Sequence, residues 1–81
     1  KIMEYIWACI SQVKKNDSVT IKARGALIYR AVELAELLRT KFIPDLSLDN
    51  DAIQINTYFP KDRKRKWGGI SQIEITLHKK N

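Results

Sequence analysis

Lys22, Arg24 and Gly25 are the residues of this 81-residue chain whose types and spacing suit a defined chemistry. They end the run Val19-Thr20-Ile21-Lys22-Ala23-Arg24-Gly25, in which apolar and polar residues alternate as in a half-buried strand. Beyond Gly25 apolar residues recur every three or four positions, as in an amphipathic helix. A glycine at this switch lets the backbone turn sharply and approach a ligand closely. The first amides of the new helix have no intrahelical partner, and two cations stand beside them. The combination suits an anion, a phosphate foremost. On these residues alone a plain tight turn with two solvated charges has equal standing.

Lys61, Arg63, Lys64, Arg65 and Lys66 form a second cationic group, with Asp62 the single acid among them. Such a run is usually only solvated, because its like charges repel. Here apolar alternation on both sides predicts a long hairpin from Pro60 to Gly69, too long and too charged for a two-residue turn. A basic ribbon of this shape can lie along a phosphate backbone or enter a narrow minor groove, whose potential favours arginine. Tyr58, Phe59 and Trp67 flank it and suit packing on sugars or stacking on unpaired bases. The competing reading is that Phe59, by its strand phase, and Trp67 fasten the base of the hairpin to the core.

Other chemistry finds little support. His78 is the single histidine, and Cys9 and the scattered carboxylates offer it no recognised metal-ligand spacing. Cys9 falls on the apolar stripe of the first helix and reads as a small core residue. Ser11, Ser18, Ser47 and Ser71 have no identifiable base, and no carboxylate pair suggests acid-base work. Neither catalysis nor a cofactor is expected.

The elements that must position these groups follow from periodicity. Ile2, Ile6, Cys9, Ile10 and Val13 predict a helix from about Ile2 to Lys15, ended by Asn16-Asp17. It begins without a capping residue, which leads to the expectation of a strand upstream. Leu27, Ala31, Leu34, Ala35, Leu38 and Phe42 predict a second helix from Gly25 or Ala26 to Phe42, stopped by Pro44. Arg39 and Lys41 near its end are explained by the helix dipole. A loop is predicted from Asp45 to Asp51, then strands over Ile53 to Phe59 and Gln72 to His78. The order helix, strand, helix, strand, strand predicts one α+β domain, a two-layer sandwich with both helices on one face of a mixed sheet.

Lys+Arg 15 against Asp+Glu 9 gives a formal charge of +6, and the hydrophobic fraction of 44% is that of a folded protein. So small a cationic body favours a nucleic acid or an anionic membrane as partner. Both helices carry acids on their polar faces, which disfavours the membrane. A single cysteine rules out an intramolecular disulfide and suits a reducing compartment. With no signal-peptide or membrane-spanning pattern, a cytoplasmic, chromosome-associated place is expected, nuclear in a eukaryote.

Ile21-Lys22-Ala23-Arg24-Gly25, Arg30-Ala31-Val32, Glu33 to Leu38 and Arg39-Thr40-Lys41-Phe42-Ile43-Pro44-Asp45 resemble the Alba family of small chromatin and RNA-binding proteins. Met3-Glu4-Tyr5-Ile6 is similar to the start of that family's first helix, and Ile73-Glu74-Ile75-Thr76-Leu77 to its last strand. The resemblance implies a βαβαββ fold with the first strand missing here, and a homodimer that coats and compacts double-stranded DNA and binds RNA with little sequence preference. It implies nucleic-acid contacts for Arg24 and for Arg30, a hairpin arm along the minor groove, and a side-by-side contact between dimers at Phe42. A heterodimer with a paralogue, and a role as a ribonucleoprotein subunit or translational regulator, stay open as alternatives. Two departures stand out. Ala26 occupies a place where many members carry a second arginine, and the family's lysine pair before the first helix, one of them open to acetylation, falls upstream of Lys1, which is only a neighbour of that site.

Overall fold

In the computed structural model, which describes residues 1–49, 51–60 and 68–80, the first element is helix α1 (Ile2–Asn16). Glu4 in its first turn and Lys14 and Lys15 in its last complement the helix dipole. Asp17 ends it in the left-handed conformation, φ 59°, and donates its N–H to the Val13 carbonyl at 2.8 Å. The chain therefore reverses at once and enters strand β1 (Ser18–Arg24) at the next residue.

The second helix departs from a uniform 3.6-residue period at both ends. Gly25–Leu27 form a single 3-10 turn, α2 proper spans Ile28–Leu37, and Leu38–Phe42 form a wider π-helical turn. Three residues per turn at one end and more than four at the other rotate the end positions away from the apolar stripe. Ala31, Leu34, Ala35 and Leu38 are buried as the periodicity predicts, whereas Leu27 and Phe42 are exposed.

The predicted loop from Asp45 to Asp51 contains a short strand, β2 (Leu46–Ser47), followed by β3 (Ile53–Tyr58) and the ten-residue β4 (Ile70–Lys79). Two residues carry no readable alternation, so β2 exists through its partner and not through its sequence. β4 is central. β1 lies along one of its edges, with Ile21 opposite Ile75, and β2 and β3 follow one another along the other edge. Every pairing among the described strands is antiparallel, so the mixed sheet predicted from element order is not what these strands form. The physical reason is that β4 runs opposite to each of its three neighbours.

Both helices pack on one face of the sheet. Ile6, Cys9 and Val13 from α1 meet Val19 and Ile21 of β1, Ile75 and Leu77 of β4, and the buried stripe of α2. Leu38 and Leu77 have no exposed surface, so truncating either to Ala should cost about 2–5 kcal/mol. Burial raises the thiol pKa of Cys9, as befits a core residue. The helices do not reach β3, whose Ile53 and Ile55 share their sheet face but remain 48% and 77% exposed.

Candidate nucleic-acid interface

Alternation along β1 sets the direction of the cations. Val19, Ile21 and Ala23 point toward the helices, so Lys22 and Arg24 stand on the opposite, open face of the sheet. There Thr20 faces Thr76, hydroxyl to hydroxyl at 3.1 Å, and Lys22 faces Glu74, Nζ to Oε2 at 3.9 Å. At that distance and exposure the Lys22–Glu74 pair is worth only tenths of a kcal/mol, so Lys22 stays free to exchange Glu74 for a phosphate. Among the described residues Arg24 has no ion-pair partner. A hollow of about 200 Å³ on this face is bordered by Lys22, Arg24, Gln72 and Glu74.

Gly25 follows in the left-handed region, φ 61°, with open space where a Cβ would sit. The requirement for glycine here is therefore conformational and not steric. A non-glycine residue would cost roughly 1–2 kcal/mol in this backbone region. The bend carries the chain from β1 into the helix, whose first amides have few intrahelical partners.

Arg30 lies on the flank of α2 that faces α1. It makes a loose pair with Glu33, 3.5 Å, and its guanidinium sits 5.3 Å from the centroid of the neighbouring Tyr29 ring. It borders a groove of about 310 Å³, lined also by Lys1, Tyr5, Ile21, Ala23 and Leu27. Lys22 and Arg30 both border this groove, while Lys22 and Arg24 both border the hollow on the open face. The three cations thus do not share one face of the sheet. They wrap the end of β1, with Lys22 common to both sides of the sheet.

Lys61, Arg63, Lys64, Arg65, Lys66 and Trp67 lie outside the described residues. What the structure describes is the base of the hairpin. Thr57 is opposite Ser71, hydroxyl to hydroxyl at 3.1 Å, and the next pair on that face brings the Phe59 ring against Gly69. A Cβ at Gly69 would lie 3.0 Å from the ring and 2.5 Å from the Thr57 methyl. Phe59 is exposed, so it lies against the glycine that precedes β4 and not against the core that strand phase predicts. Phe42 is also partly exposed, on the π-helical turn.

His78 is held by a carboxylate at the far end of the sheet. Its Nε2–H donates to Asp49, its Nδ1–H reaches the Lys79 carbonyl at 3.2 Å, and Asp49 also accepts from the Ser47 hydroxyl at 3.2 Å. The Asp49 carboxylate holds the His78 pKa above its usual value, and the imidazolium holds that of Asp49 below the usual carboxylate value. Ser47 donates to the acid and not to the imidazole, so no base acts on its hydroxyl and the trio is not a nucleophilic triad. Neither this pin nor the groove was legible in advance. Both join residues far apart in sequence.

A sequence profile of the Alba family matches residues 1–59. The chain is 40% identical over 77 residues to a DNA/RNA-binding protein Alba of Methanocella arvoryzae, covering 94% of this chain and 78% of that one. It is 39% identical over 80 residues to DNA/RNA-binding protein Alba 1 of Archaeoglobus fulgidus, covering 98% and 86% respectively. Among solved structures, Alba from Thermoplasma volcanium superposes with a TM-score of 0.77 at 38% identity, over 98% of this chain and 91% of that chain. ALBA1 from Trypanosoma brucei shares the fold, with a TM-score of 0.72 at 17% identity over 99% and 63% of the two chains. A profile that takes in both helices, the glycine bend and the first three strands, with relatives this similar along nearly the whole length, has one consequence: the chain belongs to the Alba family.

Proposed function

We propose that this chain is an architectural protein that binds double-stranded DNA and RNA through their phosphates, with little sequence preference, and is not an enzyme. One observation carries the reading: Arg24, without an ion-pair partner among the described residues, stands beside a left-handed glycine at the start of a helix, in a chain whose relatives are named DNA/RNA-binding proteins. Lys22, Arg24, Gly25 and Arg30 supply the contacts at the end of β1. Lys61, Arg63, Lys64, Arg65 and Lys66 supply an arm that follows the backbone. The working unit is a homodimer closed over the uncovered side of β3, and Phe42 touches the next dimer along the nucleic acid. We place it in the cytoplasm, on the chromosome.

The test is the salt dependence of binding to duplex DNA and duplex RNA. If a dimer neutralises roughly 6–10 phosphates, affinity falls by about 10³–10⁵ between 50 and 200 mM salt. Arg24→Ala lowers affinity for all sequences alike and makes the slope shallower, because phosphate contacts position a protein without reading bases. A flat salt response, or a loss confined to certain sequences, would remove the reading.

A further inference from the structure

We infer that the open face of the sheet reads the shallow minor groove of an RNA duplex, with the Glu74 carboxylate accepting a hydrogen bond from a ribose 2′-hydroxyl, so that the chain prefers duplex RNA to duplex DNA of the same sequence. The inference rests on the phosphate-binding reading of Lys22 and Arg24, and adds to it a surface that tells one sugar from the other.

Two rows of side chains cross this face in register. Gln54 of β3, Glu74 of β4 and Lys22 of β1 form one, and Asn56, Gln72 and Arg24 form the next. Each row thus runs from a neutral amide on β3 to a cation on β1. Both helices pack against the other face, and five of these six side chains are exposed, with Glu74 partly so. β4 is paired on both sides, so the rows are centred within the sheet, and a further strand beside β1 would widen this face without covering it.

Glu74 is the informative residue. A carboxylate among groups that hold phosphates repels them, and its loose partner Lys22, 3.9 Å away, offsets little of that. A DNA sugar gives such an acid nothing in return. A ribose does, since its 2′-hydroxyl is a donor, and a charged acceptor makes the stronger kind of hydrogen bond. Once a phosphate takes Lys22, the acid has a free acceptor beside the adjoining sugar. The hollow of about 200 Å³ bordered by Lys22, Arg24, Gln72 and Glu74 leaves room for that approach.

Shape points the same way. From β1 to β3 the face is two strand spacings wide, about 10 Å. The minor groove of B-DNA is only ~6 Å wide, so such a face does not enter it. That of A-form RNA is wide and shallow, and displays hydroxyls and base edges. Gln54, Asn56 and Gln72 each both donate and accept, so they can meet base edges there without selecting a sequence.

The experiment measures affinity, at one salt concentration, for DNA and RNA duplexes of one sequence and for the RNA duplex with 2′-fluoro riboses, which keep the A-form and lack the donor. The wild-type chain should bind RNA about 10-fold more tightly than DNA, and lose most of that preference with the fluoro duplex. Glu74→Gln should lower the RNA-to-DNA ratio by about 3- to 10-fold, the difference between a charged and a neutral acceptor. The double variant Asn56→Ala, Gln72→Ala should weaken RNA binding about 5-fold and hold DNA binding within about two-fold. Thermal melting of each variant checks the fold. Equal wild-type affinity for RNA and DNA overturns the inference. So does a Glu74→Gln change shared by both duplexes, which release of Lys22 alone would give, and so does a fluoro duplex bound as tightly as RNA. Arg24→Ala separates the two levels: if it leaves the affinity for both duplexes untouched, the phosphate reading fails, whatever the ratio does.

Discussion

At His78 both ring nitrogens donate, one to Asp49 and one to the Lys79 carbonyl, which only the protonated imidazole can do. The hydrogen bond to Asp49 is the main cause of the raised pKa, with the Lys79 carbonyl and the charges of Asp49 and Asp51 adding to it. For a group raised in the folded state, the stabilisation is complete below its unfolded pKa of about 6.5 and is lost as pH rises through the higher folded value. For Asp49, lowered in the folded state, it is complete above the unfolded value of about 3.9 and is lost as pH falls through the lower one. The pin is therefore strongest between about pH 4 and 6.5. An NMR titration of the His78 ring protons should give a midpoint above 6.5 in the wild-type chain, and Asp49→Asn should bring it down. A midpoint that ignores Asp49 would mean the contact is not made in solution.

Among elements, the base of the hairpin sets the most exacting constraint, because Phe59 lies over a glycine that has no space for a methyl group. Gly69→Ala should cost about 1–3 kcal/mol, the usual range for overpacking. For a domain of this size that lowers the melting temperature by roughly 4–24 °C. Thr57→Ser removes the nearest methyl and should recover part of the loss in the double variant, a coupling that independent sites do not show. Additive effects in thermal melts would place the strain elsewhere. β1 and β4 were legible in the sequence because each is buried on one side and alternates cleanly. β2 was not, being two residues long, and neither were the ends of the second helix, where a 3-10 turn and a π turn leave Leu27 and Phe42 outside the stripe that their spacing predicts. The glycine bend was legible because a change of period marks it. That Lys22 and Arg24 face away from the apolar side of β1 was legible in the same alternation, whereas the acid that Lys22 meets on that face was not, since it lies some fifty positions on.

For the molecule as a whole, the thin core and the bare side of β3 belong together. A chain of this length hides only about 60–65% of its unfolded surface, so burying Ile53 and Ile55 against a second copy would add stability that a single copy lacks. Ile55→Asp puts a charge at the most exposed of these positions. If the proposed homodimer closes over this side of β3, the variant should keep its isolated fold, sediment as a monomer where the wild-type chain sediments as a dimer, and lose the concentration dependence of the melting temperature. A wild-type chain that sediments as a monomer would overturn the proposed dimer, and a variant that stays dimeric would move its interface elsewhere. Four-stranded though it is, the sheet has a single organiser: β1, β2 and β3 each pair with β4, and none among the described residues pairs with another. During synthesis β1, β2 and β3 leave the ribosome before β4, so none of these three ladders can form until β4 has emerged, and its arrival completes all of them together.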